Sequence, residues 1–235
     1  MFNLIRRLPV LTLLLAGLLS MAADASSPVS LRPAWFKTLR IAEPSGICLT
    51  GDQHYFIASN NGVLVETDKD GKVLRKENLG MDIEDLCSVG HDLFILDESL
   101  RLVYCLDQES WKIKNTYCIP YNGARNKGYE SIVYLPESRH FLLLTEKQPV
   151  MVVETDEHFV PLGQRTVEGF SDLSSATWFQ GNLWFLSDED RTVSRVNPAD
   201  YTVQKQWKVP VYNPEGICFD ADGSLRILKI GRAHV

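Results

Sequence analysis

The stretch Pro44-Ser45-Gly46-Ile47-Cys48 decides the fold, because it returns almost unchanged as Pro214-Glu215-Gly216-Ile217-Cys218. Three further segments align with it: Ile83-Glu84-Asp85-Leu86-Cys87, Tyr129-Glu130-Ser131-Ile132-Val133 and Leu173-Ser174-Ser175-Ala176-Thr177. The central residues of successive segments are 39, 46, 44 and 41 positions apart. Self-similarity with a period of about 40 residues is typical of repeat architectures, β-propellers among them.

Each repeat also contains the same succession of strand and turn signals. A strand rich in aromatic and branched residues follows every segment: Tyr55-Phe56-Ile57-Ala58, Leu93-Phe94-Ile95-Leu96, Phe141-Leu142-Leu143-Leu144, Leu183-Trp184-Phe185-Leu186 and Leu225-Arg226-Ile227-Leu228. A third strand, a turn such as Asp68-Lys69-Asp70-Gly71 and a more polar fourth strand complete each unit. Short strands separated by turns, with almost no helical periodicity, predict an all-β protein. Four strands per repeat predict propeller blades. We favour six blades for the uninterrupted protein, with this sequence breaking off inside the fifth.

The two ends of the chain differ from its body. Residues 1–25 have the layout of a secretory signal, with Arg6 and Arg7 before an apolar run and Ala23-Asp24-Ala25 as the cleavage site. An uncleaved membrane anchor is the alternative. Residues 26–34 are expected to be a linker, and 35–229 the incomplete propeller, in which Trp35–Ile41 would be a lone outer strand. Residues 230–235 resemble the translation of a sequencing adapter and are expected not to be native.

The charge of the chain limits the classes of partner. The formal net charge is −6, and no block of basic residues occurs. Such a balance argues against nucleic acid and against anionic lipid surfaces as partners. The sequence also lacks a Gly-x-Ser-x-Gly elbow, a phosphate-binding glycine loop and zinc-ligand spacing. It therefore favours a binding protein over an enzyme, without deciding between them.

One column of the repeat carries acids. The residue before the centre of each segment is, in order, Ser45, Glu84, Glu130, Ser174 and Glu215. The first strand of a propeller blade lines the central channel, so the three glutamates should converge on one axis. Carboxylates so close repel one another, and a divalent cation or bound water must relieve that repulsion. Oxygen-only ligands suit Ca²⁺. The alternative is a wet channel that binds only water.

A second acidic column ends the second strand of each repeat. Its members are Asn60, Glu98, Glu146 and Asp188, and the residues just before them are Ser59, Asp97, Thr145 and Ser187. These residues should lie on one rim, near the mouth of the channel. Asp97, Glu98, Glu146 and Asp188 would extend a metal or substrate site, or they would cap turns, since Asp, Asn and Ser satisfy backbone groups of loops.

Several motifs resemble those of the SdiA-regulated family, also called YjiK/CarP-like. They are Glu43-Pro44-Ser45-Gly46-Ile47, Asp82-Ile83-Glu84-Asp85-Leu86, Leu96-Asp97-Glu98, Leu144-Thr145-Glu146 and Asn213-Pro214-Glu215-Gly216-Ile217. The resemblance implies a bacterial envelope propeller, exported to the periplasm or held at the periplasmic face of the plasma membrane. Some members are linked to calcium regulation, and the fold is similar to that of calcium-dependent β-propeller phytases. By that similarity, Glu84, Glu130 and Glu215 match channel glutamates that hold calcium.

Together these observations predict an exported calcium-binding propeller that acts as a binding or signalling module, with a role in calcium homeostasis. One alternative is a phytase-like phosphoester hydrolase, for which Arg101, Lys147 and Arg191 are the basic candidates. A second is a propeller that binds proteins without a metal. The expected partner is a small ligand or an envelope protein. We expect a monomer, with membrane association through the N-terminal segment.

Overall fold

The computed structural model describes residues 28–119 and 128–230, and these residues form strands and turns without a helix. No helix in the described ranges is therefore long and apolar enough to cross a membrane. The predicted signal peptide and residues 231–235 lie outside the described residues. The prediction of an all-β fold is confirmed.

Each repeat forms one antiparallel sheet. The first blade contains β2 (Pro44–Leu49), β3 (Tyr55–Ser59), β4 (Val63–Thr67) and β5 (Val73–Asn78), after a short β1 (Val29–Ser30). The second contains β6 (Ile83–Val89), β7 (Asp92–Asp97), β8 (Leu102–Asp107) and β9 (Ile113–Cys118). The third contains β10 (Tyr129–Leu135), β11 (His140–Thr145), β12 (Met151–Thr155) and β13 (Pro161–Thr166). The fourth contains β14 (Ser175–Phe179), β15 (Asn182–Ser187), β16 (Thr192–Val196) and β17 (Val203–Lys208). The fifth sheet pairs β18 (Pro214–Phe219) with β19 (Leu225–Lys229).

The blades are held together by apolar cores between neighbouring sheets. Phe56 of the first blade, for example, packs in one cluster with Ile83 and Leu86 of the second. Second and third strands are buried because another blade covers each of their faces, which is why they carry runs of apolar residues. The fourth strands lie at the periphery, and all six residues of β13 are exposed. Polar residues at this exposed edge disfavour strand pairing with other molecules.

The innermost strands of the five blades form a closed ring. β18 packs against β14 on one side and against β2 on the other. At the second contact a Cβ added to Gly216 would lie 3.1 Å from the backbone nitrogen of Ile47. The hydroxyl of Tyr55 reaches Asp220 across the same boundary. The inner strands of the described residues thus close into a ring of five, while the six blades expected for the uninterrupted protein stay a prediction.

The predicted outer strand at Trp35–Ile41 is wrong, because these residues form no strand. Trp35 and Phe36 are exposed. Leu39 and Ile41 cover the core between the fifth and first blades. The additional outer strand is β1, which pairs in parallel with β17 and places Val29 opposite Trp207. β1 lies within the segment that we expected to be a linker.

A relay of hydrogen bonds joins the innermost strands near the axis. Asp85 is buried, and its carboxylate accepts from Ser131 Oγ at 2.6 Å and from the Ile132 nitrogen at 3.2 Å. Ser131 Oγ in turn accepts from the Ala176 nitrogen at 2.9 Å. Gly46 provides the space, because a Cβ there would overlap the Asp85 carboxylate. The relay fixes three neighbouring inner strands at one height, and with them the residues that face the channel.

Candidate metal centre

A small polar cavity of about 100 Å³ lies among the inner strands. Its lining residues are Ser45, Glu84, Glu130, Glu146, Asp172, Ser174, Asp188 and Glu215. The three glutamates predicted from the repeat thus face one space, although they are 46 and 85 positions apart in the sequence. They meet because each occupies the same position on the first strand of its own blade.

Glu84 is the most buried of the three glutamates, with 9% of the residue exposed. No hydrogen bond to its carboxylate is found within residues 28–119 and 128–230. Burial, together with Glu130 and Glu98, raises the pKa of Glu84 to about 9. Burial, together with Glu98 and Glu146, raises the pKa of Glu130 to about 8. Burial, together with Asp188 and Glu146, raises that of Glu215 to about 7. The channel therefore holds its carboxylates in a setting that opposes their ionisation.

The tightest group of ligand atoms lies at the second blade. One carboxylate oxygen each of Asp82, Glu84 and Glu98 lies within 4.8 Å of the other two. Asp82 and Glu84 flank the start of β6, and Glu98 follows β7, the strand paired with it. Glu98 is fixed by the Gly128 nitrogen, which donates to its Oε1 at 2.7 Å. Three carboxylates so close can share one cation, whose charge would offset their mutual repulsion.

The second acidic column divides between two roles. Asp97 is fully buried and does not line the cavity; its Oδ1 accepts from the Leu100 nitrogen at 2.9 Å and from Ser99 Oγ at 3.3 Å. Of the two interpretations that the sequence left open, turn capping describes Asp97. Glu98 belongs to the carboxylate group at the second blade, while Glu146 and Asp188 line the cavity.

Two acids of the channel were not predicted as site residues. Asp82 belongs to the carboxylate group at the second blade, and Asp172 lines the cavity. Asp172 is itself tied down, because it accepts from the Asp188 nitrogen at 3.1 Å and the Glu189 nitrogen at 3.0 Å. Both acids come immediately before the aligned segments of their repeats, where Glu43 and Asn213 stand in two other repeats. That column was the signal in the sequence, one residue outside the aligned segments.

The side chains that line the cavity offer acceptors when ionised. The two serines have already donated their protons, Ser45 Oγ to the Ile83 oxygen at 2.7 Å and Ser174 Oγ to the Pro214 oxygen at 2.8 Å. Every other lining side chain is a carboxylate. A ligand that fits such a lining brings positive charge or hydrogen-bond donors, because anions would face only acceptors.

The predicted basic residues are engaged outside the cavity. Lys147 lies at its mouth, with Nζ 2.8 Å from Glu146 Oε1 and 2.9 Å from Glu189 Oε1. The guanidinium of Arg191 lies over the ring of Tyr212, 4.9 Å from its centre. Neither Arg191 nor Arg101 is among the residues that line the cavity. Lys147 is therefore the basic side chain that borders it, through Glu146.

Comparison with known proteins agrees with this architecture. Residues 41–229 match the model of the SdiA-regulated family. Glutaminyl cyclase from Myxococcus xanthus has a similar structure, with a TM-score of 0.67 and 18% identity over 80% of this chain and 86% of that chain. Virginiamycin B lyase from Staphylococcus aureus follows with a TM-score of 0.53 and 15% identity, over 80% and 64%. No curated protein matches the sequence. At these identities the structural likeness supports the propeller fold alone.

Proposed function

The chain belongs to the SdiA-regulated family, and we propose that it is an exported propeller that binds Ca²⁺ in its central channel as a binding or signalling module. The observation that carries this proposal is Glu84, a buried residue whose carboxylate makes no hydrogen bond within the part of the chain that the structure describes and is grouped with Asp82 and Glu98. Burying a charge is costly unless it is paired or coordinates a metal. A cation at this position would supply the missing partner.

The chemistry of the ligands favours calcium over other metals. The group consists of carboxylates, and carboxylate and hydroxyl oxygens line the adjoining cavity. Ca²⁺ accepts six to eight oxygen ligands in flexible geometry, so waters in a cavity of about 100 Å³ would complete the shell. Zn²⁺ prefers histidine nitrogen or thiolate, and neither lines the cavity. The binding residues in this proposal are Asp82, Glu84 and Glu98, with Glu130 and Glu215 facing the same space.

A phosphoester hydrolase has less support than a binding module. Such an enzyme needs positive groups that hold the substrate's phosphate as well as the metal. Lys147 is paired with two glutamates, and the guanidinium of Arg191 packs on Tyr212. The glutaminyl cyclase and the lyase with similar structures are enzymes by name, but fold alone does not carry an activity over.

Calorimetric titration of the protein with Ca²⁺ tests the cation proposal. We expect saturable binding. Glu84→Gln removes one ligand charge and should weaken the binding about tenfold or more, which corresponds to at least about 1.4 kcal/mol of binding free energy. Glu137→Gln is the matched control, because Glu137 is an exposed glutamate in the turn between β10 and β11. Absence of binding, or equal losses in the two variants, would contradict the proposal.

The envelope location rests on the predicted signal and on the family. Fusing residues 1–34 to a reporter enzyme that is active only after export tests it directly. We expect reporter activity in the periplasmic fraction, or in the membrane fraction if the segment remains as an anchor. Activity that stays in the cytoplasm would overturn the proposal of an exported protein.

A further inference from the structure

Gly128 and Glu98 are in unusually close contact at the boundary between the second and third blades. The Gly128 nitrogen donates to Glu98 Oε1 at 2.7 Å. A Cβ added to Gly128 would overlap Glu98 Cγ and lie 3.2 Å from its Cδ. The glutamate side chain therefore lies against the face of Gly128 where any other residue would carry its own side chain.

The repeat explains what Gly128 replaces. Position 128 stands in the column immediately before the aligned segment of each repeat, where the other repeats have Glu43, Asp82, Asp172 and Asn213. The third repeat alone has a residue without a side chain there. Glu98, which follows the second strand of the preceding blade, occupies the space that this column leaves open. A carboxylate from the second blade thus takes the place of a polar side chain from the third.

We infer that Gly128 is a positioning residue, which turns Glu98 toward Asp82 and Glu84 and so completes the carboxylate group. The inference rests on the proposed cation site. Without the backbone donor and the open space at Gly128, Glu98 would be free to extend toward solvent, as an unrestrained carboxylate does. The group would then be reduced to Asp82 and Glu84, which project from the same strand start.

Gly128→Ala is the direct test, with Gly163→Ala as its matched control. Gly128 does not have a left-handed backbone, so alanine is compatible with its conformation and the new Cβ acts only through contact. Gly163 lies on an exposed strand with nothing within 4 Å of an added Cβ. Loss of a partner that orients a ligand lowers metal affinity by about 10- to 100-fold. We expect a Ca²⁺ affinity loss of that size for Gly128→Ala and none for Gly163→Ala.

A double-mutant cycle separates positioning from general damage. In the Glu98→Gln background, Gly128→Ala should have little further effect on Ca²⁺ affinity, because the two changes act through one carboxylate. Glu98→Asp supplies a second approach that leaves Gly128 intact. Aspartate is one methylene shorter, so it cannot both reach the Gly128 nitrogen and keep its place in the group, and we expect it to bind more weakly than the unchanged protein.

The outcomes separate the inference from the proposed function. Unchanged protein that binds no Ca²⁺ overturns both. Unchanged protein that binds, together with equal affinity for Gly128→Ala or additive losses in the cycle, overturns the inference alone. If Gly128→Ala does not fold, Glu98→Asp decides: full affinity overturns the inference, and weakened binding with an unchanged melting temperature supports it.

Discussion

Ser131 Oγ donates a hydrogen bond to Asp85 Oδ2 across 2.6 Å, and this contact joins the inner strands of the second and third blades. Because Ser131 also accepts from the Ala176 nitrogen, one hydroxyl serves three blades. The contact is buried, so removal of the hydroxyl would leave the Ala176 nitrogen without its acceptor, whereas Asp85 would keep the Ile132 nitrogen as a donor.

We therefore expect Ser131→Ala to destabilise the ring. An unsatisfied buried group costs about 1–3 kcal/mol, and the substitution leaves the Ala176 nitrogen without its acceptor. Denaturant titration should show a lower midpoint for this variant. Ser110→Ala is the control, since Ser110 Oγ contacts Asp107 at 2.7 Å in an exposed peripheral turn. Equal losses for the two variants would show that the relay carries no special stability.

Gly46→Ala should be more damaging than Ser131→Ala. The new Cβ would lie 2.8 Å from the Asp85 Cα as well as against the Asp85 carboxylate, so a backbone would have to move. Overpacking of this kind costs about 1–3 kcal/mol, and more where the backbone shifts. Gly51→Ala, where an added Cβ meets nothing within 4 Å, should leave the melting temperature unchanged. A stable Gly46→Ala protein would contradict the close packing described between Gly46 and Asp85.

The stability of the cation-free protein should fall as the pH rises from about 5 to 9. Burial and neighbouring acids raise the pKa of Glu84 to about 9, that of Glu130 to about 8 and that of Glu215 to about 7. At a pH between the ordinary glutamate pKa and these raised values, the folded state binds more protons than the unfolded state. Under that condition the free energy of unfolding decreases with increasing pH.

Melting temperatures measured across this range in a chelator would test the pH prediction. Glu84→Gln should flatten the slope, because glutamine carries no proton to lose. A rising or level profile for the unchanged protein would mean that the channel carboxylates are not held as described.

Saturating Ca²⁺ should raise the melting temperature and oppose that pH dependence. A ligand that binds only the folded state stabilises it by about 2.7 kcal/mol at a hundred times its dissociation constant. Ionised carboxylates are the metal-binding form, so the stabilisation should be larger at pH 8 than at pH 5. Addition of a chelator should reverse the shift. Stabilisation that Glu84→Gln does not reduce would point to a cation site elsewhere.

The repeat pattern was sufficient to predict the four-stranded blades and the three glutamates of the first-strand column that line the cavity. Alternation and turn chemistry are local properties, so the predicted strand Tyr55–Ala58 differs by one residue from the observed β3. The column of Glu84, Glu130 and Glu215 was predicted equally well, because the same position on the first strand of each blade lies at the same height along the channel axis.

Other features depend on geometry that no local pattern records. The closure of the five inner strands among the described residues depends on how far each sheet is rotated relative to its neighbour, which no local residue pattern encodes. Trp35–Ile41 has the composition of a strand, yet it forms none, and Leu39 and Ile41 pack on the core beside the first blade instead. The role of Gly128 emerges only when Glu98 is seen to fill its space.

The contact between Tyr55 and Asp220 joins residues 165 positions apart. During synthesis the first blade is therefore made long before the segment that covers its outer flank. Until residues 214–228 leave the ribosome, Ile47 and Ile57 lack the neighbours Cys218 and Leu228 with which they share a core. Such long-range closure slows folding and leaves apolar surface open to aggregation. The first blade thus depends on strands made much later to cover its apolar face.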